Sequence, residues 1–246
     1  MPFEVYTYSS EAMLPEQIAS LRSLLRYAGR PSRITIVSDG SHPSRSLDLL
    51  RRLDPSVVVM RAAELPLVDV PSRLQDYLTR HPTGKQMSLI MSLPARGPAL
   101  YLDADVLFFP GGRDLTAELE RSPGPAAYLL DCQLSADERM LRDPSEHANP
   151  VNTGFLFLRE PLDWTLSVAR LMELSGEPSF FTNQTAAHLT MHANRAQPLD
   201  PAKFVVRLDD QFIYQDRHAA SDLVLRHYVN PVRHKFWTSL WRQGAL

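Results

Sequence analysis

The chain has 246 residues, of which 44% are hydrophobic, which is enough for one large α/β domain with its own core. The net charge is −2 and no basic face is indicated, which excludes a typical nucleic-acid-binding protein. The single cysteine, Cys132, excludes an internal disulfide and favours a reducing compartment.

The first thirteen residues, MPFEVYTYSSEAM, have neither a basic segment nor an apolar stretch, so they do not resemble a signal peptide. No run of about 18 apolar residues occurs, so we predict no transmembrane segment and a cytoplasmic location.

The first half of the chain alternates between strand-like and helix-like segments. Apolar residues at helical spacing, as at Ile18, Leu21 and Leu25, predict helices. The predicted helices cover residues 14–27, 47–53, 74–78 and 85–93. The predicted strands cover residues 3–8, 33–37, 57–60, 99–102 and 106–109. Continuous apolar strands separated by helices predict a mostly parallel sheet with helices on both faces.

The second half is more mixed. Strands are predicted over residues 126–130, 154–158, 204–206 and 223–225, and helices over 164–174 and 183–192. A basic and aromatic tail begins at His227. The prolines are scattered and no repeat is visible, so we expect a single domain over residues 1–246.

Two acidic residues, Asp103 and Asp105, follow the clearest apolar strand. On an extended strand this spacing places both carboxylates on one face. Ligands of open parallel sheets bind beyond the carboxyl ends of the strands. We therefore predict a site for Mn²⁺ or Mg²⁺, which prefer oxygen ligands and can bridge a diphosphate. One alternative is a pair of turn-capping carboxylates.

A second alternative is a phosphatase of the haloacid dehalogenase type, which also ends a strand with Asp-x-Asp. Those enzymes continue with Gly-Thr and carry the motif near the start of the domain. Here Val106 and Leu107 follow the pair, and about a hundred residues precede it. We therefore rank the phosphatase hypothesis below the hypothesis of a metal–diphosphate site.

Three segments in this order, ALYLDADVLFF, VNTGFLFL and HYVNPVRHKFW, resemble the family-eight glycosyltransferases and their GT-A relatives. The resemblance implies a single GT-A, Rossmann-like α/β domain. Residues 1–109 would form the nucleotide-binding half, and residues 110–246 the acceptor-side half with a metal- and phosphate-binding tail. The implied activity is metal-dependent transfer of a sugar from a nucleoside-diphosphate sugar, with UDP-sugar and retention of configuration as the family pattern.

The resemblance also implies residues for the nucleotide end of the donor. Thr7, Tyr8 and Ser9, at the end of the first strand, would hold the base. Asp39 would contact the base or ribose. Lys85 matches a basic residue that reaches the donor in the family. The alternatives are plain strand residues for the first group and an exposed lysine at a helix start.

For the transferred sugar, the family's Asn-Ala-Gly resembles Asn152-Thr153-Gly154, whose asparagine would contact the sugar or acceptor. The family's Asp-Gln resembles Asn183-Gln184, with Gln184 beneath the anomeric carbon. Asn183 replaces a carboxylate, which puts the sugar identity in doubt. Turn and helix-capping roles are the structural alternatives for Asn152 and Asn183. No carboxylate is apparent beside Gln184, which is compatible with same-face attack without a covalent intermediate.

The tail resembles the family's His-x-x-Gly-x-x-Lys-Pro-Trp. His227 would be the third metal ligand beside Asp103 and Asp105, and Asn230 stands where glycine is usual. Either Arg233 or Lys235 would bind a donor phosphate. Ala104 would line the donor site between the two aspartates, and residues 208–212 would line the acceptor side.

Two other functions remain open. A sugar-phosphate nucleotidyltransferase usually has a glycine-rich loop after its first strand, whereas residues 9–15 contain no glycine. A non-catalytic protein that binds a sugar nucleotide or glycan on the same fold is the other alternative. The acceptor of a transferase would be a glycan, a lipid or a small molecule, and nothing in the sequence fixes which.

Overall fold

The computed structural model describes residues 1–66 and 69–244. The strands, in chain order, are β1 Glu4–Ser9, β2 Arg33–Ser38, β3 Val57–Arg61, β4 Ala99–Leu102, β5 Val106–Phe108, β6 Ala126–Leu130, β7 Val151–Leu158, β8 Gln197–Pro198, β9 Phe204–Val205 and β10 Leu225–His227. The α-helices are α1 Leu14–Tyr27, α2 Ser44–Arg51, α3 Ser72–Arg80, α4 Pro82–Met91, α5 Leu115–Arg121, α6 Thr165–Glu173, α7 Thr182–Ala193 and α8 Lys235–Arg242. Among these residues, no helix is both long and apolar enough to cross a membrane.

The main sheet has seven strands in the order β3-β2-β1-β4-β7-β6-β8. The pairs β3–β2, β2–β1, β1–β4 and β6–β8 are parallel, whereas β7 runs antiparallel to both β4 and β6. The predicted mostly parallel sheet is therefore confirmed. The exception is β7. The loop-rich segment after β6 turns the chain back, so that β7 runs in the opposite direction.

Helices cover both faces of this sheet, as the apolar strands predict. Along β4, Ala99 and Tyr101 face one buried cluster with apolar residues of α3, α4, α6 and α7. Leu100 and Leu102 face the other, with residues of α1, α2 and α5. Alternate side chains point to opposite faces of a strand, so a fully apolar strand requires a core on each side.

A change of strand order marks the edge where a ligand is expected. The chain builds β1, β2 and β3 outward in one direction and then returns to place β4 on the other side of β1. β1 pairs with β2 as far as Ser9, but its pairing with β4 ends at Tyr6. The carboxyl ends of β1 and β4 therefore diverge at a topological switch point, the usual ligand crevice of open α/β sheets.

Several local features differ from the sequence expectations: helix α5 and strand β8 were not predicted, and the strand predicted over residues 223–225 lies at Leu225–His227. The strand predicted at 106–109 does not continue β4, because β5 belongs to a separate three-stranded sheet in the order β5-β10-β9. The tail also contains helix α8, which the sequence analysis did not predict. Its Phe236 and Leu240 pack against Leu107 and Tyr228, so the basic tail is folded onto the small sheet.

Candidate metal centre and surrounding pocket

The two acidic residues lie on a turn between β4 and β5. Residues 103–105 are not extended, so the alternation of a strand does not explain why their side chains converge. The turn is fixed at both ends by backbone hydrogen bonds. The Asp103 N–H donates to the Gly154 carbonyl of β7 at 2.9 Å, and the Tyr228 N–H donates to the Asp105 carbonyl at 2.9 Å. These anchors aim both carboxylates at the end of β10.

His227, the last residue of β10, completes an acidic–imidazole cluster. Its Nε2 lies 2.9 Å from Asp105 Oδ1 and 3.8 Å from Asp103 Oδ2. One ligand atom from each of the three residues lies within 4.8 Å of the others. Two carboxylate oxygens and one imidazole nitrogen form a donor set that can hold a divalent cation.

The second oxygen of each carboxylate is held by the protein. Asp103 Oδ1 accepts hydrogen bonds from the Tyr101 hydroxyl at 2.7 Å and from Gln86 Nε2 at 2.9 Å. Asp105 Oδ2 accepts a hydrogen bond from the Arg233 guanidinium. Each carboxylate is therefore fixed by one oxygen and presents the other towards His227.

The charges of the cluster are strongly coupled. Burial raises the pKa of Asp103 to about 6, although the nearby His227 opposes the rise. Burial also opposes ionisation of Asp105, but His227 and Arg233 outweigh it and lower its pKa. For His227, burial is outweighed by Asp105 and Asp103, and its pKa is raised. A site that gathers negative charge around a buried imidazole favours an added cation.

A pocket of about 270 Å³ opens beside this cluster. It brings together the predicted residues Asn152, Asn183 and Gln184 with Arg233 and the metal cluster. Its mouth carries two partly exposed aromatic residues, Phe180 and Phe181. Thr182, the first residue of α7, donates to the buried carboxylate of Asp137, which fixes the start of the helix that carries Asn183 and Gln184.

Two pocket residues were missed by the sequence analysis. Asp131 follows β6, and its Oδ2 accepts from Asn152 Nδ2 at 2.9 Å and from Gln184 Nε2 at 3.4 Å. A carboxylate therefore does lie beside Gln184, contrary to expectation. Gln86 of α4 accepts a hydrogen bond from Asn183 Nδ2 at 2.9 Å and donates to Asp103. The signal for Asp131 was present, because an acidic residue after an apolar strand had already identified Asp103.

Asn152 lines the pocket but is only 3% exposed. Its Oδ1 accepts from the Gly154 N–H at 2.9 Å and lies 2.8 Å from His227 Nδ1, while its Nδ2 donates to Asp131. The amide that was predicted to contact a sugar is thus engaged with the protein on both sides.

Arg233 and Lys235, the two alternative phosphate contacts, lie in different surroundings. Arg233 lines the pocket, and its Nε has no hydrogen-bond partner among residues 1–66 and 69–244. Lys235 is fully buried, with its Nζ 2.8 Å from Asp210 Oδ2 and bonded to the carbonyls of Asp210 and Gln215. This corrects the alternative in which Lys235 binds a phosphate, because its ammonium is enclosed in an ion pair.

The residues of the segment 208–212, which was predicted to line the acceptor side, also lie in different surroundings. Asp210 is fully buried, paired with Lys235 and Arg226, whereas Phe212 is 94% exposed. Only Leu208 of this segment lines the pocket.

The residues predicted at the nucleotide end are only partly available. Thr7 is fully buried and donates to Gln17 Oε1 at 2.9 Å, and Ser9 is also buried. Tyr8 is partly exposed, and its hydroxyl has no partner within the described part of the chain. Burial and the charge of Asp39 raise the pKa of Tyr8.

Asp39 and Lys85 do meet, since Lys85 Nζ donates to the Asp39 carbonyl at 3.3 Å. The Asp39 carboxylate itself accepts from the N–H and hydroxyl of Ser41. Ala104 is buried between the two aspartates. Tyr8, Asp39 and Lys85 are less buried than Thr7 and Ser9, but none of the three lines the pocket beside the metal cluster.

Solved structures of glycosyltransferases share this fold. Mouse xyloside xylosyltransferase 1 is similar over 94% of this chain and 99% of its own, with a TM-score of 0.63 and 15% identity. The galactosyltransferase LgtC, solved in complex with donor and acceptor sugar analogues, is similar over 99% and 97% of the two chains, with a TM-score of 0.61 and 11% identity.

The glycosyltransferase GlyE of Streptococcus pneumoniae is similar over 97% of this chain and 60% of its own, with a TM-score of 0.58 and 15% identity. No family model and no curated protein sequence matches the chain. The structural likeness confirms the predicted GT-A fold.

Proposed function

We propose that the protein is a metal-dependent glycosyltransferase that transfers a sugar from a nucleoside-diphosphate sugar to an acceptor hydroxyl. The observation that carries the proposal is the convergence of Asp103, Asp105 and His227, beside Arg233, at the β1–β4 switch point of a GT-A fold. A UDP-sugar donor and retention of configuration are the finer parts of the proposal and rest on the motif resemblance.

The metal would be held by Asp103, Asp105 and His227 as Mn²⁺ or Mg²⁺. When bound, such a cation supplies positive charge that neutralises a diphosphate leaving group. The protein's contribution is to orient the ligands before the cation arrives. Tyr101 and Gln86 restrain Asp103, and Arg233 restrains Asp105.

Arg233 is the residue that we assign to the diphosphate. It already lies at the metal cluster and lines the pocket, with its side chain 41% exposed. A guanidinium can bond a phosphate through two parallel N–H groups while keeping a third group on a neighbouring carboxylate. Arg233 would thus stabilise the charge that develops on the leaving group.

The nucleotide would extend from the metal towards the gap between β1 and β4. Tyr8 would offer the face of its partly exposed ring there, near Asp39, whose carbonyl accepts a hydrogen bond from Lys85 Nζ. The backbone of β1 beyond Tyr6 is unpaired on its β4 side. These groups match a flat base with hydrogen-bonding edges.

The sugar would lie between the metal cluster and the start of α7. Asp131 and Gln184 face each other across this part of the pocket. A carboxylate here places negative charge near the carbon that becomes electron-poor as the glycosidic bond breaks. Asn183 donates to Gln86, so this contact joins two neutral amides rather than an ion pair.

The neutral Asn183 is the specific observation that favours the second candidate, a non-catalytic sugar-nucleotide-binding protein. Its first test is shared with the main proposal. UDP is titrated calorimetrically into wild type, Asp105→Asn and the exposed control Asp209→Asn, each with Mn²⁺ or with EDTA. We expect micromolar binding that needs Mn²⁺ and Asp105 but not Asp209. A folded protein that binds no nucleoside diphosphate would exclude both candidates.

A further inference from the structure

We propose that Asn152 is a positioning residue that sets the tautomer of His227 and ties this metal ligand to Asp131 on the sugar side. The inference rests on the proposed metal site. It replaces the sugar contact that the motif resemblance implies for Asn152.

The Gly154 backbone determines which end of the Asn152 amide faces His227. A backbone N–H can only donate, so the atom 2.9 Å from the Gly154 nitrogen must be the carbonyl oxygen, Oδ1. The same oxygen lies 2.8 Å from His227 Nδ1. Since Oδ1 can only accept, Nδ1 must carry a proton.

A proton on Nδ1 leaves Nε2 as the ligating nitrogen. Nε2 is the atom that faces Asp105 Oδ1 at 2.9 Å and Asp103 Oδ2 at 3.8 Å. Metal-ligating histidines are oriented by the partner of the other ring nitrogen, and loss of that partner weakens metal binding. Asn152 is buried, so water does not compete for its oxygen.

Gly154 also restrains the His227 ring, by steric contact. A Cβ at this position would lie 2.1 Å from Cε1 and 2.3 Å from Nδ1 of the His227 ring. The imidazole therefore packs directly on the backbone of β7, and its ring plane is fixed from the side. Two of the three residues in Asn152-Thr153-Gly154 thus hold His227 in place.

The other end of the Asn152 amide reaches the sugar side of the pocket. Its Nδ2 donates to Asp131 Oδ2 at 2.9 Å, and Gln184 donates to the same oxygen at 3.4 Å. One amide therefore joins the metal ligand His227 to the carboxylate beside Gln184.

The test compares Mn²⁺ affinity, measured by calorimetry, in wild type, Asn152→Ala and Asn152→Asp. Asn152→Ala removes the acceptor and should weaken Mn²⁺ binding roughly 10- to 100-fold. Asn152→Asp keeps an oxygen that accepts from Gly154 and His227 and adds negative charge beside the metal ligand, so its affinity should equal or exceed that of wild type.

Asn194→Ala is the matched control, because Asn194 makes three hydrogen bonds at the far end of α7 and touches none of the cluster. Circular dichroism confirms folding of each variant. The second readout is the nitrogen-15 shifts of the His227 ring in the Mg²⁺-loaded protein. In wild type we expect the shifts of a ring that is protonated at Nδ1. In Asn152→Ala we expect that this single protonation state is no longer observed.

Folded Asn152→Ala with wild-type Mn²⁺ affinity would overturn the inference and leave the proposed function intact. Asn152→Asp as weak as Asn152→Ala would also overturn it. A wild-type protein that binds neither Mn²⁺ nor UDP would instead overturn the proposed function, and this inference with it.

Discussion

Metal binding should depend steeply on pH, because two groups of the cluster must release protons to bind a cation. Asp103 has a pKa of about 6, and the pKa of His227 lies above its ordinary value. A ligand that binds only the deprotonated form weakens tenfold for each pH unit below the pKa of the free group. The pKa of Asp105 is lowered, so this carboxylate should add nothing in the range from pH 5 to 7.5.

The magnitude follows from these directions. At pH 5, deprotonation of Asp103 costs about a factor of 10 in affinity. His227 adds a further loss, since Asp105 and Asp103 hold its pKa above the ordinary value. Mn²⁺ affinity should therefore fall by more than about tenfold between pH 7.5 and pH 5. The sign is fixed, because both groups bind the cation only after losing a proton.

The assay is calorimetric titration of Mn²⁺ at several pH values in buffers of different ionisation enthalpy. The dependence of the measured heat on the buffer counts the protons released, and at pH 5 about two should leave per cation. Affinity that stays constant from pH 5 to 7.5, with no buffer dependence, would refute the assignment of Asp103 and His227 as ligands.

Three further predictions concern single substitutions. Gly154→Ala should abolish measurable Mn²⁺ binding, because the new methyl group displaces the His227 ring; Gly97→Ala, where a Cβ meets nothing within 4 Å, is the calorimetric control. Arg233→Ala should weaken UDP binding by about 1.5–3 kcal/mol, the range for hydrogen bonds to charged groups, but leave uridine binding unchanged. Lys235→Met should lower the free energy of unfolding in urea by about 3–5 kcal/mol, because it removes one cation from a fully buried ion pair with Asp210.

Each of these has a contradicting result. Wild-type Mn²⁺ affinity in Gly154→Ala would show that the ring of His227 does not need its observed place. Equal losses of UDP and uridine binding in Arg233→Ala would show that the residue acts away from the phosphates. An unchanged urea midpoint and slope in Lys235→Met would show that the buried pair does not contribute to stability.

The fold was largely predictable because the inner strands of its main sheet, β4 above all, are rich in apolar residues and its longer helices have apolar residues at helical spacing. Both properties follow from a parallel sheet that is buried on both faces. The antiparallel direction of β7 was not predictable, because the apolar pattern of a strand is the same whichever way the strand runs in the sheet. Helix α8 has Phe236 and Leu240 at helical spacing, so its periodicity was present in the sequence. The burial of Lys235 in an ion pair was not predictable, because sequence patterns assign lysine to solvent.

The site residues were predictable where their sequence pattern is uncommon. They were not predictable where their role depends on contacts with residues far away in the sequence. Asp103 and Asp105 were found from their place after a buried strand, although a turn rather than a strand brings them together. The engagement of Asn152 with His227, 75 residues away, cannot be read from local sequence. Gln86 was missed beside Lys85 because only the helix orientation decides which neighbour faces the pocket.

We propose that the protein transfers sugars from a donor bound in this pocket. The measurement that tests this proposal is the release of UDP from UDP-sugars. A panel of UDP-hexoses and UDP-pentoses is incubated with the protein, with Mn²⁺ or EDTA, and liberated UDP is quantified. We expect slow, Mn²⁺-dependent release from at least one donor, lost in Asp105→Asn and retained in Asp209→Asn. Tight Mn²⁺-dependent UDP binding without release from any donor, in the presence of glycan, lipid and small-molecule acceptors, would contradict it and identify a binding protein.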